Sequence, residues 1–238
     1  MKIALAFWGI TRSLKFTINS IHNKILDIFK KNKIEYTIFM HTYKLNNYVN
    51  IRTKENNVNI DNEEYKLLNP HYIKIHDQDK IKEKLNLQWY RTHPDPWNTG
   101  YNSVDNFILS MYSKQKVTKL IEKTNTKYDY VIFLRPDVEY LDFFDLNFLK
   151  FVNDKTICIP NFHLFSKYQF NDRFCICNFN TYKLYGDIFD NLLILSKRQP
   201  LHSETIIGQI METYKLQIIR IPFRFLRVRT DGRKEQLK

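Results

Sequence analysis

Ile3, Ala4, Leu5, Ala6, Phe7 and Trp8 form an almost unbroken apolar run of strand length, the pattern of a central strand covered on both faces. Gly9 ends the run. Apolar residues then recur at helical spacing at Ile18, Ile21, Ile25 and Phe29, which predicts a helix over residues 14–29. Residues 34–40, rich in β-branched and aromatic side chains, predict a second strand. Strand, turn, helix and strand in this order is how a parallel α/β sheet begins.

Periodicity weakens over residues 43–69, a polar, Asn-rich stretch that reads as an irregular excursion or mobile loop carrying a short strand at most. Further strands are predicted at 72–75, 128–134, 156–159, 174–179 and 216–221. An amphipathic helix is predicted over 104–121, with Phe107, Ile108, Met111, Val117, Leu120 and Ile121 on its apolar side, and others over 182–196 and 203–214. Residues 89–100, with two prolines, His93, Asp95 and Trp97, predict a long surface loop, the sort of connection that can shape a binding site. No linker or internal repeat interrupts the pattern. At 238 residues the chain is long enough for one well-packed α/β domain.

Composition adds an aromatic bias: 15 Tyr and 18 Phe suit a ring-built core, and the same rings can line a ligand cleft. The formal charge of +12 favours anionic partners, either nucleic acid or a phosphorylated small molecule. The basic residues are dispersed except for the run containing Arg220, Arg224, Arg227, Arg229, Arg233 and Lys234, which reads as phosphate-facing, acceptor-facing or a solvated tail. No zinc-finger spacing, RNP-like strand or helix-turn-helix signal accompanies it, so no stable nucleic-acid partner is expected. Cys158, Cys175 and Cys177 make no disulfide framework and read as buried free thiols. Residues 3–10 are too short for a signal-peptide core and no stretch has transmembrane length, so a soluble, cytoplasmic protein is expected. Hydrolase elbows, H-E-x-x-H motifs and Cys-His pairings are absent from the sequence.

Candidate chemistry begins where the apolar strand ending at Leu134 passes into Arg135, Pro136, Asp137, Val138 and Glu139. Carboxyl ends of strands in open α/β sheets face the ligand crevice. On extended backbone Asp137 and Glu139 would share a face and could hold Mn²⁺ or Mg²⁺ against phosphate oxygens. The same residues also fit a solvated strand end, and Arg135 could pair with either acid or touch a phosphate. Gly9 to Ser13 lie between strand and helix, where backbone N–H groups and Arg12 suit phosphate, though neither a Rossmann fingerprint nor a P-loop is present. A plain turn with a surface arginine is the simpler alternative. Ser110, Ser113 and Lys114 form a polar patch on the long helix. Asp172-Arg173 precedes a strand, and His202-Ser203-Glu204 opens a helix. The acids there are either helix partners or, for Asp172 and Glu204, bases facing an acceptor hydroxyl; His202 could complete a metal shell, contact phosphate or simply start the helix.

Residues 2–14, 110–113, 128–137, 171–174, 202–204 and 227–232 together resemble GT-A-type glycosyltransferases, of the small kind found in large DNA viruses and microbial polysaccharide loci. The resemblance implies a GT-A-like, Rossmann-type, mostly parallel central sheet flanked by helices in a single domain. Residues 1–140 would mainly bind the nucleotide-sugar and residues 141–238 the acceptor. It implies an Asp-x-Asp-type metal motif at Asp137 and Glu139, with glutamate in place of the commoner aspartate, and His202 in the metal shell. Gly9, Thr11, Arg12, Ser110, Ser113 and Arg135 would hold the nucleotide-sugar, a UDP- or GDP-sugar. Asp172 and Glu204 would act in catalysis on a glycan or glycoprotein acceptor, in the host cytoplasm or on a virion if the chain is viral. The alternatives are a non-catalytic nucleotide-sugar or glycan binder of the same fold and a nucleic-acid-binding protein.

Overall fold

The computed structural model describes residues 1–236. Strand β1 (Lys2–Trp8) turns into α1 (Leu14–Ile21), which passes through a π-helical turn at His22–Leu26 into α2 (Asp27–Lys31). Next come β2 (Glu35–Lys44), the hairpin of β3 (Asn47–Asn50) and β4 (Glu55–Asn59), β5 (Tyr72–Asp77) and α3 (Gln78–Leu85). A long irregular segment leads to α4 (Asn102–Lys123), then β6 (Tyr130–Leu134), β7 (Val138–Tyr140), β8 (Thr156–Pro160) and β9 (Cys175–Asn178). Helices α5 (Tyr182–Gly186), α6 (Phe189–Ser196) and α7 (Ser203–Thr213) precede β10 (Gln217–Ile221) and β11 (Phe225–Arg227).

Seven strands form one sheet in the order β10-β8-β9-β6-β1-β2-β5. Only β9 runs antiparallel to its neighbours β6 and β8, so the sheet is mostly parallel. The strand order decides where a ligand can sit. From β1 the chain builds outward through β2 and β5, then returns to place β6 on the other side of β1. Such a reversal opens a crevice between the diverging connections at the carboxyl ends of the two strands. The turn after β1 and the turn after β6 therefore face each other.

The continuous apolar run of β1 is explained by burial on both faces. Ala4, Ala6 and Trp8 pack on one side with Ile108, Met111 and Val117 of α4 and with residues of α7, whereas Ile3, Leu5 and Phe7 pack on the other with Leu14, Ile21 and Ile25. β6 divides likewise, Val131 and Phe133 to the α4 side and Ile132 and Leu134 to the α1 side. Cys158, Cys175 and Cys177 are buried free thiols. No helix among the described residues is long and apolar enough to cross a membrane.

The structure departs from the sequence pattern in identifiable places. The 43–69 excursion contains the β3–β4 hairpin, with Tyr48 and Glu55 buried against the sheet's ligand end. The helix expected over 182–196 breaks into α5 and α6 around Asp187. α3 buries only Gln78 and Ile81, so it has no apolar stripe to read. β7 and β11 are three residues each, too short to establish a period of two, and pair antiparallel with one another outside the main sheet.

Candidate functional site

Gly9 ends β1 at φ +101°, a left-handed conformation that side chains with a Cβ rarely adopt. Its N–H donates to Ser113 Oγ at 2.8 Å, and the same Oγ lies 2.7 Å from His41 Nδ1. His41 Nε2 in turn sits 2.8 Å from His76 Nδ1. Burial, then the neighbouring His76, pushes His41 well below the ordinary histidine range, so this chain of contacts is a neutral brace that fixes the turn. Gly9→Ala is expected to cost about 1–3 kcal/mol, because a Cβ is forced into positive φ; urea unfolding measures it, and an unchanged midpoint would show that the turn relaxes freely.

The next residues point Arg12 inward. Its guanidinium lies 4.7 Å from the Tyr48 ring centroid, hydrogen-bonds the Tyr48 hydroxyl, and donates to Asp137 Oδ2 at 3.0 Å. Arg135 approaches the same carboxylate from the β6 side with two parallel bonds, Nε to Oδ1 and Nη2 to Oδ2, both 2.7 Å. Asp137 is 1% exposed. Burial alone would raise its pKa, but Arg135 and Arg12 outweigh it and hold the carboxyl well below the usual range. Thr11 is buried, and its carbonyl accepts from Leu14 N at 3.0 Å, so it shapes the turn without lining the cleft.

The C-terminal basic run closes the cleft. Val228 N donates to the Asp137 carbonyl at 2.9 Å, and Ser13 Oγ donates to the Val228 carbonyl at 2.9 Å. Thr230 N donates to Glu55 Oε1 at 3.0 Å. The segment is thereby fastened to the first turn, to the turn after β6 and to the β3–β4 hairpin. Val228 is buried, while Arg227 and Arg229 on either side line the cleft, as alternation along extended backbone requires. Arg227 makes a paired contact with Glu235 at 3.1 and 2.9 Å, and Arg173 reaches the same carboxylate at 3.0 Å. Burial raises the Glu235 carboxyl, but the Arg227 hydrogen bonds and charge prevail and bring it to about 2.

The cleft has a volume of about 260 Å³. Its lining includes Tyr43, Tyr48, Asn50 and Gln78, the guanidinium-bearing Arg12, Arg135, Arg227 and Arg229, and Trp97, Asp172 and Ser203. Ser110 also lines it, with its hydroxyl donating to the Phe107 carbonyl at 2.8 Å. Asp172 contributes its carboxylate, and Glu204 lies behind Ser203, whose hydroxyl bonds to it. Burial, then the Asp172 charge, raises Glu204 to about 7. His202 stacks on Trp97, ring centroids 5.1 Å apart, and its Nδ1 lies 3.2 Å from Thr205 Oγ1.

Gly9, Arg12, Ser110, Arg135, Asp137 and Asp172 thus come together, with Ser113 and Glu204 behind the wall. The expected metal set does not. Asp137 lies in a turn, so the same-face rule for extended residues two apart does not apply. Glu139 sits on β7 and pairs with Lys234 at 2.7 Å, outside the cleft lining, and His202 faces Trp97. No group of three or more His, Cys, Asp or Glu side chains among the described residues could hold a metal ion. Both Asp137 oxygens already accept from guanidinium groups, and a divalent cation placed there would meet two fixed positive charges. The residues present do not fit a carboxylate-held Mn²⁺ or Mg²⁺.

Glu55, Tyr48 and Glu235 were not legible as site residues. Glu55 is 2% exposed, 3.7 Å from Arg12 and 4.0 Å from Arg229, and comes from the segment with the weakest periodicity. Its only sequence signal is a charged residue inside a short alternating hairpin.

No protein-family model matches the chain. No curated protein matches it either. Among solved structures it is similar to the galactosyltransferase LgtC in complex with donor and acceptor sugar analogues, at 13% identity and TM-score 0.46, over 88% of this chain and 70% of that one. It is similar to mouse xyloside xylosyltransferase 1 in its apo form at 14% identity and TM-score 0.45, over 93% and 85% of the two chains. An active-site mutant of LgtC matches at 12% identity and TM-score 0.45, over 89% and 70%.

Proposed function

We propose that this chain is a GT-A-type glycosyltransferase that moves a sugar from a nucleoside-diphosphate sugar to a hydroxyl acceptor. One observation carries the reading. At the switch point of a mostly parallel sheet, a cleft joins a wall of arginines to Asp172 and Ser203, with Glu204, raised to about 7, bonded behind Ser203. The arginines suit a diphosphate, a UDP- or GDP-sugar being the donor class considered. Trp97, stacked on His202, lines the cleft together with Asp172 and Ser203, where an acceptor would lie. Residues 1–140 would mainly hold the donor, and the later residues Asp172, Ser203 and Glu204 the acceptor.

In the transfer, an acceptor oxygen forms a bond to the anomeric carbon, and the bond from that carbon to the β-phosphate oxygen breaks. The electron pair leaves with the nucleoside diphosphate. The acceptor proton passes to a carboxylate, either Asp172, which lines the cleft, or Glu204, which is bonded to Ser203 behind it. Incubating the purified chain with UDP- and GDP-sugars, with and without simple glycosides, should release nucleoside diphosphate and give a product heavier by one sugar residue. Donor binding without hydrolysis or transfer would instead indicate a non-catalytic binder. Salt-sensitive binding to DNA or RNA that ignores nucleotide-sugars would point to a nucleic-acid role.

A further inference from the structure

We infer that the donor diphosphate is held and neutralised by guanidinium groups of the cleft, Arg229 of the C-terminal segment foremost, in the place a divalent cation would take. The inference rests on the transferase reading above and names the ligand chemistry of its phosphate subsite.

Charge in the cleft is the first observation. Arg12, Arg52, Arg135, Arg227 and Arg229 line it against only Asp137, Asp172 and Glu235, an excess of two positive charges. Glu55 behind the wall offsets one of them. A nucleoside-diphosphate sugar carries two negative charges on its diphosphate, so the net positive charge of the cleft has the sign that such a ligand requires.

The second observation is how the arginines are used. Arg135 is committed to Asp137 through two bonds, and Arg227 to Glu235 through two. Arg229 is different. Among the described residues its buried Nη1 has no hydrogen-bond partner, and the Glu55 carboxylate lies 4.0 Å away. A buried guanidinium N–H left unpaired is costly, and an anion in the cleft would satisfy it. Burial, then the charges of Arg227 and Arg12, depresses Arg229 to about 10, as expected for a cation crowded by other cations.

Third, the arginines are fixed in advance. Bonds from Val228 N, Ser13 Oγ and Thr230 N hold the Arg227–Arg229 backbone on both sides. When the bond to the anomeric carbon breaks, a further negative charge appears on the β-phosphate oxygen. Donors already aimed at that position stabilise it without reorganisation. Asp137, Glu55 and Glu235 are then positioning residues: each holds an arginine in place rather than a metal.

The test is calorimetric titration of the full chain with UDP, GDP and inorganic pyrophosphate, once in EDTA and once in MnCl₂. At least one nucleoside diphosphate, and pyrophosphate more weakly, should bind in EDTA with an affinity within about threefold of that in manganese. Arg229→Gln should weaken binding in EDTA by about 10- to 100-fold, the loss expected for a charge-assisted contact, and Arg229→Lys should restore part of it. Because Arg229 Nη1 has no hydrogen-bond partner among the described residues, circular dichroism and the unfolding midpoint of Arg229→Gln should stay near native. Binding that vanishes in EDTA and returns with manganese would overturn the inference and leave the transferase reading intact. Unchanged affinity in Arg229→Gln would also overturn it. Failure of every probe to bind in either buffer would sink both readings.

Discussion

Asp137→Ala is expected to destabilise the folded chain by about 3–5 kcal/mol, the usual cost of removing one partner from a buried ion pair. The carboxylate is 1% exposed and is the shared acceptor for Arg12 and Arg135, so its loss removes both bonds of Arg135 to it and leaves Arg12 with Tyr48 and Glu55 alone. The main-chain bond from Val228 N to the Asp137 carbonyl is nearby, so the C-terminal wall should loosen as well. Urea denaturation at pH 7 measures the effect. Glu139→Ala is the control: its pair with Lys234 is partly exposed and should contribute about 0–1 kcal/mol. The pH dependence has a definite sign. Because the folded-state pKa of Asp137 is depressed, its contribution is fully present above the unfolded value of about 3.9 and is lost as pH falls toward the folded value. The gap between native protein and Asp137→Ala should therefore close in acid. A variant as stable as the native chain at pH 7, lacking only a metal-dependent binding step, would restore the carboxylate to the role of metal ligand.

Glu204→Gln is expected to lower the transfer rate by about 10²- to 10⁴-fold, the range associated with a positioned general base. Burial, then Asp172, raises the Glu204 carboxyl to about 7, so the native rate should climb through that pH as the base is uncovered. The limb should be missing in Glu204→Gln. Asp172→Asn removes the charge that helps raise Glu204, so the residual limb should move toward acid. Stability runs the other way. A carboxyl raised in the folded state contributes fully below its unfolded pKa and loses that contribution as pH rises through about 7. Glu204→Gln should accordingly be more stable than the native chain at pH 8, by about 1–3 kcal/mol, and similar to it at pH 4. Transfer measured from pH 5 to 9 alongside thermal unfolding separates the two effects. A Glu204→Gln variant that keeps both rate and limb would move the base to Asp172.

The pattern along the chain determined the sheet's centre. The unbroken apolar runs of β1 and β6 read as strands covered on both faces, and the spacing through α4 as a long half-buried helix, because each signal is local and extends over several residues. That Gly9, Arg12, Arg135 and Asp137 lie near one another required the strand order, which puts β6 beside β1 so that their carboxyl ends meet at the switch point. What Asp137 does there was decided by tertiary structure. Its partners come from residue 12 and from a turn whose geometry removes Glu139 from its side, and sequence spacing carries no information about either. Glu55, Arg229 and Glu235 became a single electrostatic unit only when the hairpin and the C-terminal segment folded onto the first turn. The basic run could not be told from a solvated tail in sequence, because burial, which gives an arginine its role, depends on contacts distant along the chain.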